Sequence, residues 1–181
     1  MSITLIIGSM YAGKSTTLLT YEKKFKACNK NYILINHSFD KRYSNEAKIS
    51  THDGIKGEGK TLTCEKLVDI EIEYLESLEE ADCFIIDEAQ FFNDIDIFCD
   101  KWAYLGKNIV VAGLSGDFKQ EEFKSISKLI PLADKIIHIV SNCSVCGSDA
   151  PFTKRLSSQQ DEIVIGGSEL YEPRCRQCLN L

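Results

Sequence analysis

Ile3-Thr4-Leu5-Ile6-Ile7-Gly8-Ser9-Met10-Tyr11-Ala12-Gly13-Lys14-Ser15-Thr16 passes from a β-branched apolar run into a glycine-bounded loop and on to a helix-forming segment. The run reads as a buried strand that stops at Gly8. Gly8-x-x-x-x-Gly13-Lys14-Ser15 then fits the P-loop pattern at every position. Glycines let successive backbone N–H groups turn inward toward phosphate oxygens. Lys14 supplies a compact charge for the β- and γ-phosphates. Ser15 opens the following helix, Thr16–Lys26, whose N-terminal N–H groups favour anions, and its hydroxyl suits Mg²⁺. Gly8, Ser9, Met10, Tyr11, Ala12, Gly13, Lys14, Ser15 and Thr16 are therefore the expected binding loop for a nucleoside triphosphate.

Around this loop the chain has 181 residues, 44% hydrophobic and 27% charged, enough for one sizeable core with a small appendage. A net charge of -6 argues against a nucleic-acid backbone as partner, though not against a nucleotide, which needs only a local cationic pocket. No apolar run is long enough to span a membrane, and no basic region precedes the N-terminal apolar stretch, so neither a membrane span nor a signal peptide is expected. Of eight cysteines, Cys143, Cys146, Cys175 and Cys178 form two C-x-x-C pairs, while Cys28, Cys64, Cys83 and Cys99 are scattered. That partition favours one metal site and four ordinary thiols in a reducing, cytoplasmic setting.

Further strands are expected at 32–36, 83–87, 108–112 and 135–140, and helices at 65–81, 95–105 and 121–129. Residues 37–60 read as a long polar loop. Strands alternating with helices imply an α/β fold with a parallel sheet flanked by helices. The domains are expected at 1–141 for the nucleotide-binding unit and 142–181 for a small C-terminal lobe, with one short strand at 162–165.

Two constellations add chemistry. Ile85-Ile86-Asp87-Glu88 places acids at the end of an apolar strand, the Walker B arrangement. A strand neighbouring the loop strand would bring Asp87 to the Mg²⁺ that Ser15 touches, leaving Glu88 as candidate general base. A solvated turn acid is the competing reading of Glu88. The cysteine pairs, with 28 residues between them, suit a closed, tetrahedral, structural Zn²⁺ site. A redox pair or unrelated thiols are the alternatives there.

These marks, with Asp40-Lys-Arg42-Tyr43, Thr51-His52-Asp53, Gln90-Phe91-Phe92, Phe118, Phe152-Thr153-Lys-Arg155 and Gly166-Gly167-x-x-x-Tyr171, resemble the type II thymidine kinases over nearly the whole chain. The resemblance implies a RecA-like P-loop core, a zinc-anchored lobe whose inter-cysteine segment is a lasso over thymidine, and a homotetramer. It implies ATP-dependent phosphorylation of thymidine, with deoxyuridine also accepted and dTTP as feedback inhibitor, in nucleoside salvage. By resemblance Glu88 is the base acting on the 5′-hydroxyl. Arg42, Asp87 and Gln90 join the ATP site. Met10, Phe91, Leu114, Phe118, Phe123, Thr153, Arg155, Val164, Ile165, Gly166 and Tyr171 surround the nucleoside. Ser115 and Lys119-Gln120 depart from the family's usual Asp or Asn and Gln-Arg, which bears on the bracing of Phe118.

Three rival readings remain open from the residues alone. They are a P-loop ATPase or GTPase, a kinase of another small acceptor, and a nucleotide- and zinc-dependent interaction module. No guanine-reading Asn-Lys-x-Asp is present.

Overall fold

In a computed structural model describing residues 1–39, 49, 55–157, 164 and 166–180, the opening apolar run forms β1 (Ser2–Gly8), followed by α1 (Lys14–Ala27). The chain continues through β2 (Tyr32–His37), β3 (Lys60–Cys64), α2 (Leu67–Glu73), α3 (Leu75–Glu80), β4 (Cys83–Ile86), α4 (Ile95–Tyr104) and β5 (Asn108–Leu114). It then forms α5 (Lys124–Leu129) and β6 (Lys135–Ile139). The six strands make one parallel sheet in the order β3-β2-β4-β5-β1-β6.

Alternation along β1 explains its central place. Ile3 and Leu5 join one buried cluster with Phe84, Phe92, Phe98 and Trp102, while Ile6 joins a second cluster with Leu18, Leu34 and Ile85. Successive side chains leave opposite faces of a strand, so both faces of this sheet are covered.

Several expectations are refined. β3 begins where the expected polar loop ends and has no counterpart among the expected strands; it is an edge strand with only Leu62 and Cys64 buried, too little apolar signal to read. The helix expected over 65–81 breaks at Tyr74, whose φ of -125° lies outside the helical region. The helix expected from 121 begins at Lys124, because the Asp117 carboxylate accepts hydrogen bonds from the Lys119 and Glu121 N–H groups and holds 117–121 as a turn. Arg42, His52, Asp53, Ile165 and most of the expected 162–165 strand lie outside the described residues.

Among its described residues the C-terminal lobe forms two small antiparallel ribbons. β7 (Ser141–Asn142) pairs with β8 (Asp149–Ala150), and β9 (Phe152–Arg155) with β10 (Tyr171–Arg174). Among the described residues no helix is long and apolar enough to cross a membrane.

Candidate active site and thiol cluster

Parallel strands aim their carboxyl ends at one edge of the sheet, where loops carry the functional groups. β1 ends there at Gly8. A Cβ on Gly8 would lie 2.2 Å from the Ile139 carbonyl oxygen, so only glycine fits beside β6. Gly13 answers a different demand: its φ of +85° is left-handed, with open space around it. Tyr11 also has positive φ, 64°, so the loop is held in a conformation costly for a non-glycine residue. Lys14 and Ser15 open α1, and the Lys14 Nζ donates to the Ser9 carbonyl at 2.8 Å.

β4 ends at the same edge. β5 lies between β4 and β1, which corrects the expectation that Asp87 comes from the strand next to the loop strand. Asp87 nevertheless meets the Ser15 hydroxyl, since Ser15 stands at the start of α1, which packs over β5 and β4. Asp87 is 5% exposed. Burial, then the neighbouring Glu88 charge, raises its carboxyl to about 7, against the opposing effect of Ser15 and the Glu88 N–H. A divalent cation held here would relieve both causes of that rise.

Glu88 follows with φ 53°, ψ 38°, an uncommon backbone for a side chain of its size. Its carboxylate accepts from Gln90 Nε2, and Gln90 Oε1 in turn accepts from the Leu114 N–H at 3.1 Å. Gln90 is buried, and Ser125 Oγ donates to its carbonyl at 2.9 Å. Gln90 is thus an orienting bracket for Glu88, a role that the sequence alone does not suggest.

Aromatic groups gather beyond Glu88. Phe91 is half-buried, its ring 5.5 Å from His37 and 5.9 Å from Phe39. His37 is buried: its Nδ1 accepts from the Phe39 N–H at 3.1 Å, which leaves Nε2 to donate to the Glu65 carbonyl at 3.2 Å. Burial holds its pKa below 6.5, in the neutral form these bonds need. His37 thus supports Phe91, a part that its isolated place in the sequence does not reveal.

The lobe contributes a second group. The Arg155 guanidinium lies 3.7 Å from the centre of the Phe118 ring, and its Nε and Nη2 donate to the Tyr171 hydroxyl at 3.1 and 2.8 Å. Tyr171 donates onward to the Val164 carbonyl at 2.6 Å. Arg155 and the Asp117-capped turn therefore supply the bracing of Phe118 on which the departures at Ser115 and Lys119-Gln120 bear. Thr153 Oγ1 accepts from the Met10 N–H at 3.0 Å, joining lobe to loop. Phe123 belongs to the main core cluster with Ile126 and Leu129, and Leu114 packs against that core. Gly166 is half-buried at the start of the turn into β10.

The four C-x-x-C thiols converge. Their sulfurs all lie within 4.8 Å of one another, with Cys146 and Cys175 Sγ 3.6 Å apart. Zn–S bonds of about 2.3 Å in a tetrahedron put sulfurs about 3.8 Å apart, so this donor set fits a closed structural Zn²⁺ site. None of the eight cysteines is in a disulfide. Burial works to raise Cys143, but backbone N–H donors, from Cys175 first, together outweigh it and lower the thiol to about 6. The Cys175 thiol, then burial, raises Cys178 to about 12. Cys146 is lowered too, first by the Ser148 N–H, so the cluster favours thiolate at Cys143 and Cys146 and opposes it at Cys178, an imbalance that a divalent cation removes.

Fold and site together define a parallel α/β protein with acids and a lysine-bearing glycine loop at the carboxyl edge of its sheet, closed by a cysteine-clustered lobe. The family model described as thymidine kinase matches residues 1–179, and the chain belongs to the thymidine kinase family. It is 42% identical to the thymidine kinase of Choristoneura fumiferana entomopoxvirus, over 99% of this chain and 97% of the relative. It is 40% identical to that of Amsacta moorei entomopoxvirus, over 99% and 98%. Against the thymidine kinase of Vaccinia virus (strain Western Reserve) the identity is 37%, over 97% and 95%.

Proposed function

We propose that this protein transfers the γ-phosphate of ATP to the 5′-hydroxyl of thymidine, giving dTMP, and accepts deoxyuridine less well, as a step of nucleoside salvage. The observation that supports this most is the Glu88 carboxylate, held by Gln90 beside the buried Asp87 at the carboxyl edge of the sheet. Family membership supplies the acceptor.

On this reading the loop amides of residues 8–16 and Lys14 cradle the triphosphate, with Arg42 near the phosphates. Ser15 and Asp87 are the residues that would hold Mg²⁺, which neutralises phosphate charge when bound with ATP. Glu88 aligns the 5′-hydroxyl and accepts its proton as the oxygen attacks. Met10, Phe91, Leu114, Phe118, Thr153 and Tyr171 enclose the nucleoside, with Phe123 behind them. Arg155, Val164, Ile165 and Gly166 close the lasso. Loss of proton acceptance at a positioned base typically costs about 10²–10⁴-fold. dTTP, which joins the thymine base to a triphosphate, would occupy both halves of the site and inhibit.

Assembly into a homotetramer is supported by β6, a sheet edge paired among the described residues only with β1, whose Ile136 is exposed along with the adjoining Val140. The free thiols support a reducing cytoplasm.

The test is ADP formation from ATP with thymidine, deoxyuridine, deoxycytidine or no acceptor, in the wild type and Glu88→Gln. We expect turnover only with thymidine and deoxyuridine, reduced about 10²–10⁴-fold in Glu88→Gln with thymidine binding little changed. Cytosine reverses the donor–acceptor pattern of the thymine edge and would leave desolvated groups unpaired. ATP consumption without an acceptor, or efficient deoxycytidine phosphorylation, would overturn the proposal.

A further inference from the structure

We propose that Ser9 is a positioning residue coupling the thiol cluster to the phosphate loop, so that metal at the cysteines and nucleotide at Lys14 each strengthen binding of the other. This rests on the nucleotide and zinc readings above and goes beyond them, since those readings treat the two sites as separate.

The link can be followed atom by atom. Ala150 is fully buried in a small cluster with Cys143, Cys175 and Cys178. Its carbonyl accepts a 2.7 Å hydrogen bond from Ser9 Oγ, and Ser9 is 2% exposed. The Ser9 carbonyl in turn accepts from Lys14 Nζ at 2.8 Å. One loop residue therefore holds the ribbon of the thiol cluster with its side chain and the phosphate-seeking lysine with its backbone. The ribbon itself is tied to the thiols: Cys143 N–H donates to the Ser148 carbonyl at 2.7 Å, and β7 and β8 flank the first cysteine pair.

Two further bonds fix the same joint. Met10 N–H donates to Thr153 Oγ1 at 3.0 Å, and Ser141 Oγ donates to the Tyr11 carbonyl at 3.2 Å. Packing does not replace them. A cavity of about 240 Å³ opens between Ile7, Gly116 and His138 of the core and Pro151 and Phe152 of the lobe. With the joint incompletely filled, hydrogen bonds rather than side-chain interdigitation set where the ribbon sits on the loop. The loop also needs an outside support, because Tyr11 is held at φ 64°. A buried hydroxyl that donates to the Ala150 carbonyl is therefore better read as a brace for the loop than as a phosphate ligand.

The experiment uses the full chain with its metal. Zinc affinity is measured by competition against a chromogenic chelator, with and without saturating Mg·ADP. ADP affinity is measured by calorimetry in the zinc-loaded and chelated protein. Reciprocity requires one factor in both directions. We expect about fivefold to tenfold, the worth of roughly one net hydrogen bond. In Ser9→Ala, which keeps the loop amides and removes only the hydroxyl, the factor falls toward one whatever the change in either single affinity, an outcome that a purely structural loss would not give. The wild-type measurement stands even if that variant folds poorly. ADP that binds the wild type without changing its zinc affinity overturns the coupling. A wild type that binds no ADP instead removes the nucleotide reading, and one that takes up no zinc removes the metal reading.

Discussion

β1 buries Ile3, Leu5 and Ile6 between two apolar clusters, whereas the buried cluster of the C-terminal lobe consists of Cys143, Ala150, Cys175 and Cys178. Burying one Leu or Ile contributes about 1.5–3 kcal/mol, and the sheet repeats that gain many times over. Among its described residues the lobe adds little to that cluster beyond the buried Tyr171, and the strands of its ribbons are two to four residues long. On the proposed zinc reading, its order comes from bonds to a shared cation. One part of the molecule is then organised by exclusion of water, the other by coordination, and the candidate active site lies between them.

The largest effect belongs to the core. Phe84 is fully buried, with its ring 5.6 Å from Phe98 and 5.4 Å from Trp102. Phe84→Ala should cost about 3–5 kcal/mol through lost burial and a cavity that the sheet cannot close. Denaturant unfolding followed by Trp102 fluorescence would measure it. Metal content per folded molecule should stay at the wild-type level. If it fell in step with stability, the lobe would be leaning on the core far more than its own buried cluster implies.

The converse change should be local. Cys175→Ser removes one of four thiols and should lower zinc content and protease resistance at residues 143–157 and 166–178. The Trp102-reported unfolding of the core should move by no more than about 1 kcal/mol, since none of its main apolar cluster is touched. Limited proteolysis and metal analysis would be run beside the melt. Cooperative collapse of the whole chain would erase the distinction between the two regions.

The same contrast explains what could be read from sequence. Apolar runs announce strands, so β1, β2, β4, β5 and β6 are legible, while β3 is hidden by Lys60, Thr61 and Thr63 at an edge. Lys14, Asp87, Glu88 and the four cysteines stand out because each belongs to a short-range pattern. Gln90 bracketing Glu88 is not legible, although the two are near in sequence, because the decisive partner is Leu114 on another strand. Arg155 over Phe118 is likewise a meeting of distant segments. The order of β4, β5 and β1 is a property of topology that no local motif encodes.

The smallest expected effect sharpens the comparison through pH. His37 has both ring nitrogens engaged in the neutral form, one accepting from Phe39 N–H and one donating to the Glu65 carbonyl. Protonation would set a second ring N–H against the Phe39 N–H donor while also burying charge. Its pKa is accordingly held below 6.5, chiefly by burial. The unfolded chain then binds the proton more readily than the folded one. The His37 contribution is thus intact above pH 6.5 and is lost as pH falls from there toward the folded pKa. His37→Gln should flatten this part of the stability profile. Thiol protonation in the lobe is common to both proteins, so the wild-type minus variant difference isolates the core. Because the His37 ring lies 5.5 Å from Phe91, thymidine affinity of the wild type should weaken over the same acid range. Parallel profiles for wild type and variant would remove His37 from the account and leave the acid sensitivity to other groups, the buried Asp87 carboxyl and the thiols among them.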